Sequence, residues 1–404
     1  MFSAQSFRTS AENLPSPQSA QTDPPRRIIA LDGIRGLAAL MVLGYHAFYL
    51  PLIQTQTGGS TRLVAELAKA GWLGVDLFFV LSGFLITGIL LDGKGGKHYF
   101  RNFYARRILR IVPLYYAALL ILFLCYRGSG SFVLLGCFYL TNFASLFSVP
   151  MLFGPLWSLS VEEHFYLLWP GLVRFTSKRM LALIAAGIVI ISPVARALAF
   201  GSVEVMDIYY FSFFRFDGLA WGALLALSFR SPWWNERNQR WVATACFGCG
   251  AAMITGGLPF GILSRERFTG TVLLYTAAQL VFAGMIAAAL NARSTSLTKL
   301  LSRRLLTWCG DMSYCFYLVH VFCFHAWDWL LVRLGMNVEG MIGTLGNVAL
   351  RALIGTILSF GIAALSWRYF ESPVLRLKKH FAAEAHRTMP QSGIDDSPCV
   401  DKAA

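Results

Sequence analysis

The segment from Ile28 to Leu50 reads IIALDGIRGLAALMVLGYHAFYL. It is apolar and long enough to span a bilayer, yet it holds Asp32, Arg35 and His46. A charged side chain at the centre of a spanning helix costs about 2.5–3.5 kcal/mol on insertion scales, and less near its ends. A helix that keeps such residues needs a partner, a cavity or a task for them. Ten residues separate Arg35 from His46. At a rise of about 1.5 Å per residue they stand roughly 16 Å apart, about three turns along one face. One helix can thus set a cation near one membrane surface and a titratable base near the other.

The rest of the chain makes a membrane setting the only economical one. Hydrophobic residues are 56% of 404 and charged residues 14%, against about 25% charged in a soluble domain. The chain reads as an all-α, polytopic integral membrane protein. Its membrane domain covers 26–378, between polar tails at 1–25 and 379–404. The first tail lacks the basic n-region and short apolar h-region of a cleaved signal. The net charge of +14 does not point to nucleic acid, because the basic residues lie in short blocks between apolar spans. Cys246 and Cys249 form a CxxC inside an apolar span, which fits buried free thiols better than a disulfide or a metal pair.

Eleven apolar segments fall near 28–50, 72–92, 111–126, 132–149, 157–173, 180–200, 209–229, 241–260, 270–290, 305–331 and 341–367. If all cross, the basic blocks cannot share one side. With 132–149 taken as a re-entrant or lateral segment, about ten transmembrane helices remain. With both termini cytoplasmic, the inner side then carries 22 Lys and Arg and the outer side seven, among them Arg196 and Arg265. The implied location is the plasma (inner) membrane, with multiple passes. Arg35 then lies in the inner half of the first helix and His46 near its outer end.

Several further residues can carry chemistry. Asp76 opens the second span, GVDLFFVLSGFLI, at a depth near His46. It can orient an imidazole, or serve as a helix N-terminal charge. Arg107 and Arg110, three apart at a helix start, can hold phosphates in bidentate fashion or contact lipid phosphates as a stop-transfer block. Glu162 and Glu163 stand in WSLSVEEHFYLLWP. Neighbouring side chains on a helix point about 100° apart, so one can serve a site while the other pairs elsewhere, Arg215 being a candidate. Arg215 and Asp217 are two apart and cannot face each other, so each needs a partner on another helix. Ser313 is either a ligand or a packing hydroxyl. His320 is carried inward, but its spacing from His325 does not suit a metal site, and no metal is expected. No Walker loop or dinucleotide fingerprint occurs. Gly33 and Gly36 fit helix packing.

Six of these segments, in this order, resemble the integral-membrane acyltransferase type 3 family, bacterial enzymes that O-acylate sugars and other glycans. They are LDGIRGLAAL with His46, GVDLFFVLSGFLI, the Arg107–Arg110 pair, WSLSVEEHFYLLWP, FRFDGLAWG and SYCFYLVH. The resemblance covers about 26–378. One departure is His164, where the family usually has glutamine. Many members carry a fused soluble esterase-like domain, for which this chain has no room.

The resemblance implies acyl-coenzyme A as donor, usually acetyl, and a carbohydrate or glycan hydroxyl as acceptor, with no permanently bound cofactor. The inner arginines Arg35, Arg107 and Arg110 are then expected to hold the phosphates and the pantetheine arm. His46, farther out, is expected to act as general base, oriented by Asp76 or Glu163. A two-step route through acyl-His46 is the other mechanism. The competing class is a proton-coupled transporter or flippase of an envelope precursor, but no internal repeat of the kind transporters show is evident. Acceptor identity, acyl length and oligomeric state are not fixed by these residues.

Overall fold

The computed structural model describes residues 28–53, 60–290, 295–335 and 345–381. Nearly all of the tails at 1–25 and 379–404 therefore falls outside the described residues. Among the described residues the secondary structure is helical, with one isolated bridge between Phe200 and Val203. Eight helices are long and apolar enough to cross a membrane. They are α1 (Ile29–Ile53), α2 (Thr61–Asp92), α3 (Tyr99–Cys125), α5 (Lys178–Ala199), α7 (Glu236–Phe260), α8 (Gly270–Ala289), α9 (Arg304–Arg333) and α10 (Leu345–Arg376). The other two expected crossings are helical but atypical. α4 (Leu156–Phe175) carries Glu162, Glu163 and Arg174, and α6 (Phe216–Phe229) is short.

The segment expected at 132–149 is not one helix. It is a short helix, Gly130–Cys137, followed by a 3-10 stretch, Thr141–Phe147. Tyr139 and Ser148 adopt φ of 56° and 54°, and a left-handed residue ends a helix. Neither piece is long enough to span about 30 Å of hydrocarbon. The Arg101–Pro113 stretch, by contrast, is continuous helix. It forms the first turns of α3 with Pro113 inside the helix.

α1 packs along α9 and against α2, while α2 packs along α6. Glycines make these approaches possible. A Cβ on Gly36 would stand 2.0 Å from the Leu306 carbonyl oxygen, and one on Gly310 would stand 1.9 Å from that of Asp32. At the α2–α6 crossing, Gly83 and Gly222 play the same part against Leu219 and Val80. Small residues let backbones approach and gain dispersion contacts where lipid offers no hydrophobic drive between helices.

Two local irregularities set the direction of His46 and Arg215. In α1, residues Tyr45–Tyr49 form a π-helical turn in which the Leu50 N–H reaches the Tyr45 carbonyl. Pro51 has no N–H to continue the ordinary pattern, and such turns re-aim side chains. His46 lies in this turn. The span expected over 209–229 is broken into Val205–Tyr210, Ser212–Phe214 and α6, with Arg215 at the non-helical junction.

Candidate active site

A cavity of ≈ 450 Å³ opens among α1, α2, α3, α4 and α9. Arg35, Arg107 and Arg110 line it, with Asp32, Glu162, Asp311 and Ser313. The expected cationic trio is therefore brought together from two helices. Arg35 is held by Asp32 at 2.9 Å, one turn before it. Arg107 lies over the rings of Phe103 and Tyr166, 5.7 and 5.5 Å from their centroids. Both contacts place the guanidinium without consuming all of its donors. Lys378, just past α10, is a fourth cation of this group. Burial, followed by Arg110, Arg107, Arg106 and Arg35, pushes its ammonium down to about 7.

Of the two adjacent glutamates, it is Glu162 that faces this cavity; Glu163 does not line it. Ser82 and Tyr166 each donate a hydrogen bond of 2.9 Å to Glu162. Ser313 lines the cavity too, while its hydroxyl donates to the Gly310 carbonyl at 2.8 Å. The hydrogen bond fits the packing-hydroxyl reading of Ser313. The far wall is Ser158 and Tyr317, whose hydroxyls lie 2.6 Å apart.

His46 is beyond that wall. The Tyr317 ring centroid is 5.8 Å from that of His320, and His320 meets His46 edge-on at 4.8 Å. His46 Nδ1 is 3.0 Å from the Val42 carbonyl oxygen. A carbonyl only accepts, so Nδ1 carries the proton and the lone pair of the neutral ring is on Nε2. His320 Nδ1 likewise donates to the Tyr317 carbonyl at 2.9 Å. Its Nε2 then faces the His46 Nδ1–H at 3.4 Å. His46 also lines a separate cavity of ≈ 240 Å³ with His325, Asp328 and Arg351. Arg351 donates to both Asp328 oxygens, at 2.7 and 2.8 Å.

Three expectations are corrected here. Neither Asp76 nor Glu163 is the orienting partner of His46; the Val42 carbonyl and His320 hold that place. Asp76 is fully buried on Arg215 at 2.8 Å and accepts from Gln279 at 3.2 Å. Arg215 is therefore paired with Asp76 and not with either glutamate. Asp217 completes the layer. It pairs with Arg196 at 2.7 Å and accepts from Gln279 at 3.0 Å. Arg196 is thus no outer-loop charge but a fully buried member of a polar layer. Buried ions need such pairing because isolated charge in a low dielectric is prohibitive. His164 lies 2.7 Å from the Ser212 hydroxyl and stacks on Phe143, so it belongs to the packing around the 141–147 stretch.

Ser82, Tyr166 and the Asp328–Arg351 pair were not singled out by sequence reasoning. Arg351 could have been, since it too is a cation inside an apolar span. Ser82 and Tyr166 carry no charge, and only the folded neighbourhood marks them.

Comparison with known proteins now bears on this geometry. Peptidoglycan O-acetyltransferase OatA of Listeria monocytogenes serovar 1/2a is 26% identical over 383 residues, 85% of this chain and 55% of that protein. The putative peptidoglycan O-acetyltransferase YrhL of Bacillus subtilis is 30% identical over 387 residues, 88% of this chain and 56% of that protein. O-acetyltransferase OatA of Staphylococcus aureus is 25% identical over 395 residues, 89% and 59% of the two chains. The chain spans a little over half the length of these relatives. No solved structure matches it significantly. A family model described as an acyltransferase domain matches residues 28–368, which takes in both cavities and all six resembling segments, and the chain belongs to that membrane acyltransferase family.

Proposed function

We propose that this protein is an O-acetyltransferase that moves an acetyl group from acyl-CoA to a hydroxyl of a cell-wall glycan. The observation that carries this reading is the arginine-lined cavity ending at Tyr317, one ring away from the His320–His46 pair. The cavity suits a ligand with an anionic head and a slim, uncharged arm. Arg35, Arg107 and Arg110 take the phosphates. The arm runs toward Ser158 and Tyr317, along the roughly 16 Å of helix rise between Arg35 and His46.

The acceptor enters the smaller cavity, which half-buried His46 lines beside the Asp328–Arg351 pair. The thioester reaches His46 past Tyr317, so the Ser158–Tyr317 hydrogen bond opens during the cycle. His46 Nε2 takes the acceptor proton as the hydroxyl oxygen attacks the carbonyl carbon. The new C–O bond forms, the C–S bond breaks, and the proton passes on to the departing thiolate. His320 Nε2 accepts from the His46 Nδ1–H and stabilises the imidazolium that forms.

The sidedness follows from the loop charges: arginine cavity to the cytoplasm, His46 cavity to the outside, both termini cytoplasmic, in the plasma membrane. The peptidoglycan reading of the acceptor rests on the names of the Listeria and Bacillus relatives. The test is reconstituted protein supplied with labelled acetyl-CoA and peptidoglycan fragments. Wild type transfers label and His46→Ala does not; label transfer by His46→Ala at the wild-type rate would sink the reading.

A further inference from the structure

The cavity of ≈ 240 Å³ lined by His46 also presents His325, Asp328 and Arg351, beside the apolar Leu50, Pro51 and Val321. Asp328, near the C-terminal end of α9, and Arg351, in the first turns of α10, tie the two helices together. The two partners are not equally presented. Arg351 is 11% exposed and lies over the Phe324 ring, 4.7 Å from its centroid, whereas Asp328 is 25% exposed. The guanidinium is the backing and the carboxylate the face.

That face can still accept. Arg351 fills one site on each Asp328 oxygen, and a carboxylate has about four. His46 Nε2 is an acceptor as well, since the Nδ1–H is turned to the Val42 carbonyl. His325 Nδ1 is 2.7 Å from the Tyr126 hydroxyl, which leaves its Nε2 for a ligand. A hydroxyl can meet that nitrogen in either tautomer, because it both donates and accepts. The cavity thus asks for several donors on one small molecule. Asp328 already has its counter-charge in Arg351, so those donors are neutral: an ammonium finds no unbalanced anion, and a carboxylate meets Asp328 first. Several O–H or amide N–H groups on one edge, with C–H groups toward Leu50, Pro51 and Val321, describe a sugar ring.

We propose that Asp328 is a specificity-determining residue for the acceptor. Its carboxylate accepts a hydrogen bond from a second neutral donor on the same sugar ring whose hydroxyl His46 deprotonates. The inference rests on the acetyltransferase reading above and deepens it. Two groups then hold the ring, His46 at the reacting hydroxyl and Asp328 at another donor, and together they fix which hydroxyl is acylated. A site built to bind a polar group of its substrate rejects an analogue lacking it, because the site's own acceptor is left unpaired.

The test measures acetyl transfer by the full chain in nanodiscs, from acetyl-CoA to methyl N-acetyl-β-glucosaminide and to its 2-, 3-, 4- and 6-deoxy analogues, each lacking one donor. The analogue without the acylated hydroxyl is expected to receive nothing. A second analogue, without the partner of Asp328, is expected to lose about tenfold or more in kcat/KM, the effect of one hydrogen bond to a charged group. In Asp328→Leu/Arg351→Met, which removes the pair without stranding a charge, the parent glycoside and this second analogue become equal, while the KM for acetyl-CoA stays at wild type. The swap Asp328→Arg/Arg351→Asp keeps the tie between the helices but withdraws the carboxylate from the face, and is expected to behave the same way. A swap that uses the parent like wild type and still disfavours the second analogue assigns the pair to helix packing alone and overturns the proposal. So does equal transfer by wild type to every analogue that keeps the acylated hydroxyl, a comparison that does not depend on how the variants fold. Failure to use the parent glycoside while peptidoglycan fragments are acetylated overturns the single-ring placement. Failure of wild type to acetylate either acceptor overturns the acetyltransferase reading itself.

Discussion

His320 Nε2 lies 3.4 Å from His46 Nδ1, with the two rings 76° apart. One imidazole thus takes the position a carboxylate often holds behind a catalytic histidine. Both rings have Nδ1 against a main-chain carbonyl of their own helix, so both tautomers are set by backbone geometry. On the proposed mechanism, His320→Ala is expected to lower kcat about ten- to a hundredfold while leaving the KM for acetyl-CoA near wild type, because His320 touches His46 and does not line the arginine cavity. On the proposed general-base reading, His46→Ala removes the base and costs about 10²–10⁴ in rate. Steady-state kinetics on both variants separate the roles; an equal loss in the two would show that His320 is more than a positioning residue.

Donor affinity is expected to depend on pH through Lys378. Its ammonium is pushed down to about 7 by burial and by Arg110, Arg107, Arg106 and Arg35. Below that pH it is charged; above it, neutral. A polyanionic donor favours the charged form, so binding takes up a proton and affinity falls as pH rises through 7. CoA titrations between pH 6 and 8.5 should show the decline in wild type and a flatter profile in Lys378→Arg, which stays charged throughout.

The Asp76–Arg215 pair is expected to act on stability before activity. Both side chains are fully buried. Removing one partner strands the other charge, at about 3–5 kcal/mol. Arg215→Met and Asp76→Leu should each lower the unfolding temperature in detergent far more than the double variant does by comparison with their sum. Additive losses would mean that the pair is not energetically coupled.

Gly36→Ala and Gly310→Ala should each force α1 and α9 apart, since the new Cβ would meet a carbonyl oxygen at 2.0 or 1.9 Å. Overpacking of this kind costs about 1–3 kcal/mol. The same displacement moves Arg35 and His46 relative to Ser313 and His320, so acetyl transfer should fall further than stability does. Gly187→Ala, inside α5 at a position with open space, is the control: acetyl transfer should stay at wild type and stability should not fall.

Much of the architecture was legible in the linear chain because a bilayer allows few solutions. Backbone groups must be satisfied within each span, so apolar run lengths name the helices. The two atypical crossings, α4 and α6, were visible as apolar segments despite their charges. The segment at 132–149 was recognisable as different, though its breaks at Tyr139 and Ser148 were not. The arginine group was readable too, Arg35 as a costly cation in an apolar segment and Arg107 and Arg110 as a pair three apart at a helix start. Glu162 and Glu163 showed the limit. Adjacency in sequence says that they diverge, and not which one meets the cavity.

The amino-acid order thus set the helices, the cationic end and the candidate base, each through a local rule: span length, the cost of charge in hydrocarbon, and helical rise. Pairing across helices was a different matter. Depth along the spans suggested Asp76 for His46. Packing gave Asp76 to Arg215 and placed His320 beside His46. Helix neighbours depend on crossing points fixed by close approaches such as Gly36 on Leu306 and Gly310 on Asp32. A rotation of a few tens of degrees about a helix axis exchanges one partner for another, and only contacts summed over many residues fix that rotation.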